Sequence, residues 1–177
     1  MTAYFEENKI CTYKELLRAF CPGRFPADEF LKRIIFTGSG KAAINIALDY
    51  LKTKGILRDK NSEILVPRWL GYWVYNMIHK TGFPCLTYND NIKVMLVYHQ
   101  YGFPQNMDDI MDFAQRNKVI IIEDCAHVYE SYYKGKRLGT FGLASIFSFS
   151  KMFSTFIGGG ILTKDGGLCA YASSRLK

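Results

Sequence analysis

Residues 119–160 read VIIIEDCAHVYESYYKGKRLGTFGLASIFSFSKMFSTFIGGG, and this stretch decides the fold. It opens with a continuous apolar run, Val119 to Ile122, closed by two acids, Glu123 and Asp124. Continuous apolar strands, in place of alternating ones, belong to sheets covered on both faces. A second apolar strand, Ser145 to Phe149, leads into a Ser-rich turn holding Lys151, and three glycines open a third, Gly159 to Thr163.

Working outward, helical and apolar segments alternate along the chain. Candidate strands are Ile34 to Phe36, Glu63 to Pro67, Cys85 to Tyr88 and Val94 to Tyr98. Candidate helices are Lys41 to Lys54, Leu70 to Lys80 and Met107 to Asn117, each with apolar residues at helical spacing. Such alternation predicts βαβ units and a mostly parallel sheet of about seven strands between helical layers, a three-layer αβα fold. Residues 1–33 read as a helical N-terminal segment with a Pro/Gly break at Cys21 to Pro26, and residues 34–177 as the α/β domain.

Composition narrows the function classes. The 177 residues are 49% hydrophobic and 22% charged, ordinary for a globular domain. The net charge of +7 has no basic block behind it, so it points to scattered lysines and argues against nucleic acid as partner. Five widely spaced cysteines without a C-x-x-C pair suggest reduced thiols in the cytoplasm, and neither a disulfide framework nor a metal site. The polar start gives no sign of a signal peptide, and no apolar run nears the ~20 residues of a membrane span.

Four constellations carry chemistry. Thr37 to Ala43, TGSGKAA, joins a strand to a helix, where glycines let backbone approach a phosphate. A P-loop would need glycine where Ile35 stands and a hydroxyl where Ala42 stands, so nucleoside triphosphate hydrolysis is the weaker use of this turn; a plain glycine-eased turn is another. Asp124, just past a strand's carboxyl end, stands where open α/β sheets bind ligands; an N-cap is the alternative. Lys151, if desolvated at the end of a buried strand, becomes a neutral nucleophilic amine; alone it reads as a surface lysine. An acid and a lysine at neighbouring strand ends are what pyridoxal 5'-phosphate requires: the lysine forms the Schiff base and the carboxylate keeps the pyridine nitrogen protonated. His127 could face the same group from one helical turn on. Trp69, Tyr72 and Trp73 offer aromatic faces, one for the cofactor ring and the rest for packing.

In order, these pieces resemble the DegT/StrS family of pyridoxal phosphate-dependent sugar aminotransferases. The resemblance runs through GSGKAAI from Gly38, the ILVP strand from Ile64, and HQYGFP followed by NMD from His99 to Asp108. It continues through EDCAH from Glu123, YKGK from Tyr133, GTFG from Gly139, and Ser148-Phe149 before the lysine. It implies the aspartate aminotransferase-like large domain without the C-terminal small domain, and a homodimer. It also implies transfer of an amino group, usually from glutamate, to a nucleotide-linked keto sugar. Lys151 would be the Schiff-base lysine and proton shuttle, and Asp124 the partner of the ring nitrogen. His127 would lie near the phenolic oxygen. Gly40, Lys41 and Ala42 would hold the phosphate through backbone N–H groups, with the Ser148 hydroxyl added.

The chain departs from the family pattern in three places. Only Ser150 separates Phe149 from Lys151, so counting back from Gly158-Gly159 finds Lys151 and counting forward from Ser148 finds Phe153. The family's G-E-G-G reads Phe156-Ile157-Gly158-Gly159 and lacks the acid. The ring-stacking aromatic aligns near Gly71, which leaves Trp69 or Tyr72 for that task. These departures, with no second domain in view, leave open a scaffold that holds the cofactor without turnover.

Overall fold

Nine strands and five α-helices build the fold in the computed structural model, which describes residues 30–128, 130–153 and 156–176. The helical segment expected before residue 30 lies outside the described residues. The strands are β1 (Ile35–Thr37), β2 (Glu63–Leu65), β3 (Phe83–Cys85), β4 (Val94–Tyr98), β5 (Ile120–Asp124), β6 (Tyr132–Tyr133), β7 (Lys136–Arg137), β8 (Ala144–Ser148) and β9 (Gly159–Thr163). The helices are α1 (Gly40–Thr53), α2 (Tyr72–Thr81), α3 (Met107–Asn117), α4 (Phe149–Met152) and α5 (Gly166–Arg175).

Seven strands form one sheet in the order β1-β9-β8-β5-β4-β2-β3. Neighbours from β8 through β3 pair in parallel, and β9 runs antiparallel to both β8 and β1. The mostly parallel seven-stranded sheet expected from the alternation is therefore present. The register sets Tyr98 beside Asp124 and Asp124 beside Ile146, so β4 and β5 end together and β8 runs two residues farther, to Ser148.

Strand alternation divides the core between two faces. On one face, Ala43, Ile44, Ala47, Leu48 and Leu51 of α1, Ile78 of α2 and Leu168 of α5 pack on Ile64, Leu96, Ile122 and Ile146. On the other, Met107 and Ala114 of α3 pack on Met95, Val97, Ile121 and Phe147. Burying each large aliphatic chain contributes about 1.5–3 kcal/mol, so both layers are held by apolar area. α3 also has Asp108 and Asp109 in its first turn and Arg116 in its last, which matches the helix dipole.

One local expectation is corrected. The strand expected at Cys85 to Tyr88 runs from Phe83 to Cys85 and includes Pro84. Proline lacks an N–H but is tolerated on an edge, and β3 is the outer strand. Residues 132–137 form a small hairpin, β6–β7, around Lys134 (φ 48°) and Gly135 (φ 78°). Positive φ at both loop residues is the mark of the tight hairpin turn that matches strand twist.

Candidate active site

The phosphate-type turn is built by capping. Ser39 caps α1: its Oγ accepts from the Ala42 N–H at 3.2 Å and its carbonyl from Ala43 at 3.1 Å. The cap thus engages one of the three N–H groups named from sequence and leaves that of Lys41 without an intrahelical partner. Glycine is required at two places here. A Cβ on Gly40 would lie 3.1 Å from Ser148 Cβ and 3.2 Å from the Phe147 carbonyl. One on Gly159 would lie 2.3 Å from the Gly40 nitrogen. The turn, the end of β8 and the start of β9 therefore touch through bare backbone. Ser148, buried at the end of β8, lies beside Gly40, with Oγ 3.5 Å from that of Ser150.

Asp124 ends β5 and is 3% exposed. Its Oδ1 accepts from the Ala126 N–H at 3.0 Å, and its Oδ2 has no partner among the described residues. Burial raises its pKa, against the Ala126 N–H and the nearby Lys151 and His99 side chains, which favour the ionised form. His127 follows in a turn closed by Val128 N–H to the Cys125 carbonyl, where a helical turn was expected. Its Nδ1 lies 2.8 Å from the Tyr98 hydroxyl and 3.3 Å from the Tyr101 nitrogen, and Tyr101 stacks on its ring at 5.8 Å and 7°. Burial, then the charge of Lys151, lowers the His127 pKa.

Lys151 sits on the one-turn helix α4, its charge felt by both Asp124 and His127. It is exposed, where sequence predicted a desolvated amine. The strand stops at Ser148, and the helix turns the lysine out of the sheet. Trp69 is 79% exposed, in the turn before α2. Trp73, on α2, has Lys41 Nζ 5.4 Å from its ring centre and so stands beside the phosphate-type turn, a position that spacing did not single out.

Glu123 points to the opposite face and is saturated. Its oxygens accept from the N–H groups of Gly139 (2.9 Å), Phe141 (2.6 Å) and Gly142 (2.8 Å), from Ser145 Oγ (3.2 Å), and meet His99 Nε2 at 3.3 Å. Burial pushes its pKa up, but His99 and the three N–H groups outweigh that and hold it low. The ligand atoms of His99, Glu123 and Cys125 lie within 4.8 Å of one another. Those of Glu123 are engaged, and burial with the neighbouring acids raises the Cys125 thiol well above its ordinary range. The cluster is a hydrogen-bonded knot that ties the 139–142 loop to β5.

Residues 87–174 match the model of the DegT/DnrJ/EryC1/StrS aminotransferase family. The chain belongs to this family. It is 31% identical over 162 residues to GDP-perosamine synthase of Escherichia coli O157:H7, covering 80% of this chain and 43% of that protein. It is 32% identical over 78 residues to L-glutamine:scyllo-inosose aminotransferase of Streptomyces griseus, covering 43% and 18%. Among solved structures, the aminotransferase from Psychrobacter cryohalolentis superposes with a TM-score of 0.70 at 25% identity, over 80% of this chain and 40% of that one. The chain thus spans less than half the length of these relatives. The family region holds the EDCAH strand end, the β6–β7 hairpin, Ser148 and Lys151. No helix among the described residues is long and apolar enough to cross a membrane.

Proposed function

We propose that this chain is the cofactor-binding part of a pyridoxal 5'-phosphate-dependent aminotransferase. It moves an amino group from a donor such as glutamate to a keto sugar on a nucleoside diphosphate. One arrangement carries the reading: Asp124 and His127 stand at and just past the end of β5, and Lys151 stands just past the end of the adjacent β8, where its charge acts on both. The residues fit the cofactor. The unpartnered Asp124 Oδ2 suits a pyridinium N–H. The bare-backbone contact of Gly40 with Ser148 and Gly159 suits a phosphate at the start of α1. Gly40, Lys41, Ala42 and Ser148 would hold that phosphate, and the Lys151 amine would bond the aldehyde.

The bound cofactor supplies an electron sink for the carbon bearing the amino group. The chain's own residues do the rest. Asp124, ionised against the ring nitrogen, keeps that nitrogen protonated. Lys151 Nζ, once free, takes and returns a proton at the substrate carbon. His127 donates beside it. Relatives named for a GDP-linked product and for L-glutamine support the substrate classes. The net charge of +7 suits an anionic substrate. Exposed Phe36, Tyr72, Trp73, Phe156 and Ile157 support a homodimer that covers them. The thiols of Cys85, Cys125 and Cys169, all unpaired, accord with the cytoplasm.

A scaffold without turnover is the second reading, favoured by exposed Phe156 and Ile157 in the place of the family's acid. One experiment addresses both. The chain loaded with pyridoxal phosphate gains a visible absorption band, and borohydride fixes the cofactor to it in the mass spectrum. Lys151→Ala loses both signals. Absence of a band in the unaltered chain at every pH refutes the proposal. Glutamate then converts the cofactor to its amine form in an enzyme and leaves it unchanged in a scaffold.

A further inference from the structure

Tyr98 is the last residue of β4 and the register partner of Asp124, so its side chain leaves the sheet on the same face. Its hydroxyl lies 2.8 Å from His127 Nδ1. That contact alone leaves the direction of the hydrogen bond open, because a hydroxyl can donate or accept. The Tyr101 backbone removes the ambiguity. Its N–H, 3.3 Å from the same nitrogen, can only donate. Nδ1 must then present its lone pair, the Tyr98 hydroxyl must donate as well, and the proton of the neutral imidazole is left on Nε2.

The backbone is bent to make this arrangement. Tyr101 has φ 53°, uncommon for a residue with a side chain, and Gly102 follows with φ 81°. A Cβ on Gly102 would lie 2.9 Å from the His127 carbonyl, so the segment rests closely on the histidine. The same bend stacks the Tyr101 ring on the imidazole. A non-glycine residue held at positive φ beside a functional group is where stored strain is informative. Among the described residues Nε2 has no hydrogen-bond partner.

We propose that Tyr98 is a positioning residue that, with the Tyr101 N–H, locks His127 as the Nε2–H tautomer, a neutral donor aimed at an anionic oxygen of the bound cofactor or substrate. The groups facing His127 accord with a neutral ring. Lys151 opposes a second positive charge, Tyr98 and Tyr101 are uncharged, and the nearby carboxylate, Asp124, acts on Tyr98. The donor role rests on the function proposed above; the tautomer does not, and it is measured without cofactor.

The chain contains three histidines, so nitrogen-15 labelling of histidine alone gives a spectrum simple enough to assign, with His127→Gln marking the resonances of interest. In the cofactor-free chain at neutral pH, His127 Nδ1 is expected at the position of an unprotonated ring nitrogen and Nε2 at that of a protonated one. In Tyr98→Phe the two resonances move toward each other as the second tautomer becomes populated, and the His127 titration midpoint rises. His79 and His99 keep their positions and report an intact fold. A proton on Nδ1 in the unaltered chain overturns the proposal whether or not any variant folds. So does an unchanged tautomer in Tyr98→Phe. A locked tautomer in a chain that binds no pyridoxal phosphate would sustain this inference and sink the proposed function instead.

Discussion

Glu123 and Asp124 are consecutive, both carboxylates, both buried at the end of β5, and shifted in opposite directions. Strand geometry sends them to opposite faces. Glu123 meets five donors, and its charge is compensated within the chain. Among the described residues, Asp124 meets one backbone N–H and its Oδ2 has no partner. A buried ionised group is tolerated when hydrogen bonds replace its water. The first carboxylate therefore holds structure, and the second keeps an oxygen without a hydrogen-bond partner among the described residues.

The difference can be tested from both sides. Glu123→Gln places an amide N–H₂ among N–H donors, and we expect a loss of about 3–5 kcal/mol in denaturant unfolding, the range for breaking a buried charged pair. A loss below about 1 kcal/mol would put Glu123 in the same class as Asp124. The acid limb of stability separates them by sign. Glu123 titrates below its ordinary 4.5 in the folded chain, so its contribution is full above that pH and is lost as pH falls through the lowered value. Asp124 titrates above its ordinary 3.8, so its contribution is full below that pH and is lost as pH rises through the raised value. Glu123→Gln should flatten the acid loss of stability, and Asp124→Asn should steepen it. Equal profiles would contradict the opposed shifts. The smallest effect on stability is that of Asp124→Asn itself, under about 1 kcal/mol at neutral pH, because Oδ1 keeps its N–H partner. Its cost should appear instead in pyridoxal phosphate affinity, weakened at least about tenfold, the equivalent of 1.4 kcal/mol.

Much of this was legible in the chain. Val94–Tyr98 and Ile120–Asp124 announced themselves by unbroken apolar character, because strands covered on both faces need no polar side. Asp124, His127, Ser148 and Lys151 could be named as candidates because each stands at or just past a strand end, where open α/β sheets bind ligands. β3 was misplaced because Pro84 argues against a strand until its edge position is known. Trp69 and Tyr72 were chosen by nearness to Gly71, where the family's stacking aromatic aligns, whereas the helix that follows brings Trp73 to Lys41. Tyr98 could not be distinguished within an apolar run, since its hydroxyl gains meaning only when the strand register sets it beside Asp124. The exposure of Lys151 depends on where β8 stops, and strand ends are the least legible feature of a sequence.

The reversed strand β9 has a consequence for the order of assembly. It lies between β8 and β1, so Ile35, near the beginning of the described chain, finds its hydrogen-bonding partner in Ile161. At about 5–20 residues per second of synthesis, that partner emerges on the order of ten seconds later. Until then the turn at Gly40 has neither Ser148 nor Gly159 against it. A nascent chain can pair β2, β4 and β5 as they appear, while its first strand waits. The turn at Gly40, made well before the strands that close on it, is therefore among the last parts to take shape.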